Sequence, residues 1–261
     1  MNQTFNLNRF SNLFIKHTVD NYKTYLMAFF VLLGVLFLTM GFAAYVSGGQ
    51  ISTGAQIPFF IFVLLIAGSI FTSIVFSDLG NKRKAISILT LPASHFEKYA
   101  IGWVYSYLIF QLLFIPAFYL TVMLINYVGG LGGQVGNTPL LDLFSTRDHV
   151  YWVFYLYGIL HAMCLFGSIY FLKLHFIKTS FTVFLAAIVV FFANKEFMNL
   201  LIKGRVINAV PFAQVNVRDE TGIYFRAQIP NNNYEYFFIT CLILVVILWA
   251  CSFYRLKEKE V

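Results

Sequence analysis

Ser94 and Glu97 stand three residues apart in the pattern S-x-x-E, two residues after Pro92. At that spacing the serine hydroxyl accepts from the backbone N–H of the third helical residue. The glutamate reaches back to the serine's own N–H, and a helix starts in a fixed direction. Upstream, Lys82, Arg83 and Lys84 open a short amphipathic stretch whose apolar members are Ala85, Ile86, Ile88, Leu89 and Leu91, and Pro92 ends it. The segment from Ser77 to Lys98 therefore reads as a helix–break–helix elbow. Its chemistry is mechanical: a basic and apolar surface on which a partner can dock, fused to the start of a long helix. A plain structured loop with basic residues is the alternative.

The other polar groups offer less. His161 and Ser168 lie seven residues apart on one apolar run and so share a face. Two helical turns separate them by about 10 Å, too far for direct proton transfer. Gln111 and His161 are single polar groups that bridge neighbouring helices more readily than they bind a substrate. Lys195 and Glu196 interrupt an apolar run. Lys195 falls about 24 Å along it at 1.5 Å per residue, near its outer end. The pair marks either a helix end at the interface or a polar element of an external gate. Cys164, Cys241 and Cys251 have no metal-ligand spacing and read as small buried side chains. The sequence contains no H-E-x-x-H, no G-x-S-x-G and no G-x-x-x-x-G-K-[ST]. No residue is assigned to catalysis, to a cofactor or to a metal, and the chain is not expected to be an enzyme.

Six apolar runs must position these groups. The 261 residues are 59% hydrophobic and only 11% charged, with 31 Phe and 16 Tyr, too little charge to clothe a soluble domain of this size. About 20 apolar residues cross the roughly 30 Å hydrocarbon core as a helix. The spans fall at about 24–46, 57–79, 98–127, 149–172, 179–203 and 234–254, with Pro116 as an expected kink in the third. Residues 1–23, with Phe10, Leu13 and Phe14 on one face and Arg9, Lys16 and Lys23 elsewhere, read as an interfacial helix or a plain soluble one. The segment 204–232 reads as an external polar loop. Within it, Gln214–Ile229 forms a strand pair that turns at Asp219-Glu220-Thr221-Gly222. The expected fold is thus an all-α polytopic membrane protein, a single transmembrane domain over 1–261, with a small strand-like loop before the last helix. The net charge of +7 is concentrated beside the spans. It signals topology and contact with headgroups of the lipid bilayer rather than nucleic acid. Basic residues in the N-terminal segment, the 80–98 gap, the 173–178 turn and the tail put both termini in the cytoplasm.

At the elbow, Leu89-Thr90-Leu91-Pro92-Ala93-Ser94-His95-Phe96-Glu97-Lys98 stands between the second and third spans. An interfacial N-terminal helix, six spans and this L-x-LP-x-S-x-x-E-K ending together resemble the permease subunit of a bacterial type-2 ABC exporter. The resemblance in topology covers nearly the whole chain, and the specific motif covers some twenty residues. It implies that residues 80–97 are a coupling elbow seated in a separate ATP-binding subunit, with ATP and Mg held there and not in this chain. It implies that Arg83, Lys84, Ile88, Leu91, Pro92, Ser94 and Glu97 couple the two. It further implies a second permease chain, identical or homologous, and a place in the bacterial cytoplasmic (inner) membrane. Where that family often has short re-entrant helices after the fifth span, this chain has the strand pair. A nucleotide-independent transporter or channel, and a non-transporting scaffold, are the competing readings.

Overall fold

The computed structural model describes residues 5–76, 86, 90–131, 138–145, 147–171, 173–202, 205–211, 214–218, 223–228 and 234–259. Within them lie six helices long and apolar enough to cross a membrane. They are α1 (Leu7–Val46); α2 (Thr53–Val75); a third formed by α3 (His95–Trp103), a π-helical turn (Val104–Ile109) and α4 (Phe110–Leu131); α5 (Trp152–Tyr170); α6 (His175–Leu201); and α7 (Tyr234–Glu258). The all-α expectation needs one correction. Between α6 and α7 stands a three-stranded antiparallel sheet, β1 (Arg205–Val210), β2 (Gln214–Arg218) and β3 (Tyr224–Gln228), in the order β1-β2-β3.

Three boundaries differ from those expected. The interfacial helix over 1–23 and the span over 24–46 are one helix of 40 residues. It is about 60 Å long at 1.5 Å per residue, twice the thickness of a hydrocarbon core. Nothing in it breaks a helix: it holds no Pro, and its first Gly is Gly34. The polar residues near the expected break fold back on the helix. Thr18 Oγ1 donates to Phe14 O at 2.8 Å, and Asn21 Nδ2 to His17 O at 3.0 Å. Similarly, α6 runs without a break through Asn194-Lys195-Glu196. In the third helix Pro116 is accommodated inside α4, and the departure from α geometry lies earlier, at Val104–Ile109. The expected β2–β3 pair is present, joined by β1, which had not been anticipated; the turn at Asp219–Gly222 lies outside the described residues.

Helix α5 is the hub, packed against α2, α6 and α7. One core joins α1, α2, α4 and α5 through Leu36, Met40, Phe60, Leu64, Phe114, Phe118 and Tyr157. A second, smaller cluster gathers Phe76, Tyr99, Leu165, Ile169 and Leu256 at the end where α3 begins. In a bilayer, apolar burial alone does not favour helix association, so close approach and hydrogen bonds matter more. Gly129 shows this. A Cβ there would stand 1.7 Å from Gly49 O, so the turn after α1 meets the end of α4 only because residue 129 lacks a side chain.

Candidate functional site

In the elbow's described part Thr90 N–H donates to Ile86 O at 2.9 Å, and Ala93 N–H donates to Leu91 O at 2.8 Å, a tight bend around Pro92. Helix α3 then starts with both halves of the capping box formed. Glu97 N–H donates to Ser94 Oγ at 3.2 Å, and Ser94 N–H donates to Glu97 Oε2 at 2.9 Å. Leu91 is half-buried and Pro92 exposed. Arg83, Lys84 and Ile88 lie outside the described residues.

Glu97 does more than cap. Its Oε1 accepts from Asn6 N–H at 2.8 Å and from Arg9 Nη2 at 2.8 Å. The side chain is completely buried, whereas that of Arg9 is 33% exposed. A buried carboxylate is tolerated only where its lone pairs are satisfied and a counter-charge is near. Here it also sits at the N-terminal ends of both α1 and α3, where the helix dipoles favour negative charge. Asn6 is itself the N-cap of α1 and accepts from Asn8 N–H at 2.9 Å. One carboxylate thus pins the starts of two helices whose sequences are 91 residues apart.

Aromatic contacts extend this junction. Phe96 meets Phe5 (ring centroids 5.9 Å) and Phe253 of α7 (6.2 Å). Tyr99 Oη donates to Trp249 O at 3.0 Å. Tyr105 lies between Phe14, His17 and Tyr25, with centroids 4.7–5.3 Å away, and its hydroxyl shares a hydrogen bond with Thr18. The helix after the elbow is therefore fastened along its first three turns to both terminal helices.

The π-helical turn that holds Tyr105 also carries Ser106, and there His161 of α5 bridges two helices, as a lone polar group in a span is expected to. Trp249 Nε1–H donates to His161 Nδ1 at 3.2 Å, and His161 Nε2 lies 2.8 Å from Ser106 Oγ. An indole N–H only donates, so Nδ1 must be the accepting nitrogen and Nε2 carries the proton toward Ser106. The Ser106 hydroxyl then donates to Gly102 O at 2.7 Å, and Tyr157 Oη donates to Ser106 O at 2.7 Å. Ser106 O at the π turn is thus served by Tyr157 of α5, and Gly102 O by the Ser106 hydroxyl of the turn itself. Ser168 takes no part: its hydroxyl donates to Leu165 O.

The other candidates lie at the opposite end. Lys195 is half-buried and Glu196 exposed; Glu196 Oε2 accepts from Asn199 Nδ2 at 3.5 Å. Their neighbours hold the sheet instead. Asn194 Nδ2 donates to Ala209 O at 3.1 Å, and Val206 N–H donates to Asn199 Oδ1 at 3.3 Å. A second buried polar group, Gln56, escaped the sequence reading. Its Nε2 donates to Ile51 O and Pro139 O at 3.2 and 3.1 Å, and its Oε1 accepts from Leu141 N–H at 2.8 Å. Arg9 and Gln56 could not have been singled out from local sequence, because each acts across a long separation.

No group of three or more His, Cys, Asp or Glu fit to hold a metal occurs among the described residues. No known family, curated protein or solved structure matches this chain.

Proposed function

We propose that this chain is the membrane-spanning permease subunit of an ATP-driven exporter of the type-2 ABC class. In this reading a separate ATP-binding subunit docks on residues 80–97 from the cytoplasmic side. ATP and Mg are bound in that subunit. A second permease chain completes the path in the bacterial cytoplasmic membrane. Arg83, Lys84, Ile88, Leu91 and Pro92 form the docking surface, and Ser94 and Glu97 transmit its displacement.

The observation that supports this reading most is the junction at Glu97. A docking element that merely hung from a loop would dissipate a push. Here the bend at Pro92 leads directly into a capped helix whose first turn is tied to α1 by a buried carboxylate and to α7 by Phe96 and Tyr99. A displacement of the elbow therefore moves three helices together. Lys195 and Glu196 belong to the outer side in this reading, at the margin of an external gate built with the sheet.

The test is isolation of the tagged chain from its native membrane in mild detergent, followed by identification of its partners and an assay of ATP hydrolysis. A nucleotide-binding subunit is expected to co-purify and hydrolyse ATP. Arg83→Glu with Lys84→Glu is expected to release it while the chain still inserts. A preparation without such a subunit, or a charge-reversed chain that keeps it, overturns the proposal. Flux through ATP-free proteoliposomes would favour the nucleotide-independent transporter instead.

A further inference from the structure

Basic side chains gather where α5 ends, α6 begins and α7 ends. The Arg255 guanidinium carbon lies 5.3 Å from the ring centre of Tyr170, and Lys178 Nζ lies 5.8 Å from that of Phe171. Those two rings touch, with centroids 5.3 Å apart, so the last residue of α5 and its C-cap hold cations from both neighbouring helices side by side. Lys259, one residue past α7, joins them: its charge and that of Lys178 act on His175, and the charge of Arg255 acts on Lys259. The acid that meets this cluster among the described residues is Glu258, paired with Arg255 Nη1 at 2.6 Å. Lys259 Nζ, Arg255 Nε and His175 Nδ1 are shut off from solvent and have no hydrogen-bond partner among the described residues. An ammonium that has given up water without gaining an acceptor is costly. Burial, and then Arg255 beside it, holds Lys259 below the usual lysine range.

Helix polarity adds to the surplus. α6 starts after Leu174 with no side-chain cap and no acid in its first turn. His175 and Lys178 lie in that turn, at the positive end of the helix dipole, where anions are favoured and cations are not. The end of α5 offsets part of this, since the carbonyls of Ser168 and Phe171 meet His175, but nothing described there serves Lys259 Nζ. We propose that this end of the bundle binds one phosphate group, held by Lys259, Arg255, Lys178 and the first turn of α6. A phosphate presents oxygens in several directions, which suits donors arriving from separate segments, and guanidinium and ammonium groups both recognise it. The cluster stands at the ends of three helices long and apolar enough to cross a membrane. Headgroups lie at that level, and basic pockets between such helices bind anionic ones. The phosphate is that of an anionic phospholipid or a free one, and the same donors serve either. The site rests on its own charges and not on the exporter reading.

The test uses the full-length chain in two preparations. In the first it is stripped of lipid in a neutral detergent and titrated with inorganic phosphate at constant ionic strength, with thermal unfolding as the readout. In the second it passes from nanodiscs of equal parts phosphatidylcholine and phosphatidylglycerol into native mass spectrometry, which identifies retained lipid. A midpoint that rises with phosphate and not with chloride is expected, or one retained phosphatidylglycerol per chain. The phosphate response alone assigns a free phosphate, and retained lipid assigns the headgroup. Lys259→Gln with Lys178→Gln is expected to weaken the binding about tenfold. Lys16→Gln with Lys23→Gln removes the same charge from exposed positions on α1 and is expected to leave it within about twofold. Lys259→Gln alone, outside every helix, serves where the double variant fails to fold. Absence of both signals from the unaltered chain overturns the proposal and points to Glu260, which lies outside the described residues, as the acceptor. Equal weakening by the two double variants means bulk charge only and overturns it as well.

Discussion

Both ends of the helix bundle carry charged residues within or beside apolar helices, and the fold treats them oppositely. At the elbow end a carboxylate is taken fully out of solvent and given three N–H donors, one from a guanidinium. At the other end Glu196 stays exposed and Lys195 half-buried, with α6 continuing past them, and the buried polar group is a neutral amide, Gln56. Any slippage at the elbow end leaves that buried charge unpaired, at a cost of several kcal/mol. The elbow end is thus held in one geometry, while the charges near the sheet stay in contact with solvent.

Removing the buried carboxylate is the most severe way to break that contrast. Glu97→Ala leaves Asn6 N–H, Ser94 N–H and the Arg9 guanidinium without their acceptor. It is expected to lower stability by about 3 kcal/mol, the low end for a broken buried pair because Arg9 is partly exposed. Thermal unfolding in detergent micelles measures this, and a wild-type midpoint would show that the junction does not hold α1 to α3. At the opposite end, Gln56→Leu strands Leu141 N–H and the carbonyls of Ile51 and Pro139. A loss of about 2 kcal/mol is expected in the same assay. A larger loss than that of Glu97→Ala would reverse the ranking of the two ends.

His161→Phe removes both bridges across the π-helical turn. Hydrogen bonds between membrane helices average under 1 kcal/mol each, so a loss of about 1 kcal/mol is expected. Hydrogen exchange of the amides around Ser106 should quicken, and unchanged exchange would mean that the π turn stands without the bridge. Leu174 precedes α6 with φ of 53°, in the left-handed region. Leu174→Gly relieves roughly 1 kcal/mol of that strain but adds freedom to the unfolded chain, so a net gain of about 0.5 kcal/mol is expected. A fall in unfolding midpoint would count against the strained cap. The smallest effect belongs to Lys195→Ala with Glu196→Ala, expected within about 0.5 kcal/mol of the parent. A drop of about 2 kcal/mol or more would place a buried, paired charge where the structure has a half-buried Lys195 and an exposed Glu196.

Much of this architecture was legible because it is local or periodic. The six apolar runs need only a count of residues against the thickness of a bilayer, and the strand pair at 214–229 needs only alternation and a turn. The capping box at Ser94 and Glu97 was readable for the same reason: both partners lie within four residues. At residue 23 the composition changes but the helix does not end. A helix ends where its backbone hydrogen bonds end, and Thr18 and Asn21 bond back to the preceding turn instead of breaking it. The strand β1 was missed because Arg205–Val210 becomes a strand by pairing with β2 and by resting on Asn194 and Asn199, neither of which shows in its own residues.

The amino-acid order alone determined where the chain becomes apolar enough for lipid, where the third helix begins, and that Glu97 would face back toward Ser94. Only the tertiary structure decided that the same carboxylate would also take Arg9 and Asn6, and that His161 would link Trp249 to Ser106. The reason is physical. Caps and periodicities act within about one helical turn, whereas burial of a charge depends on which distant groups the packed helices bring within hydrogen-bonding distance.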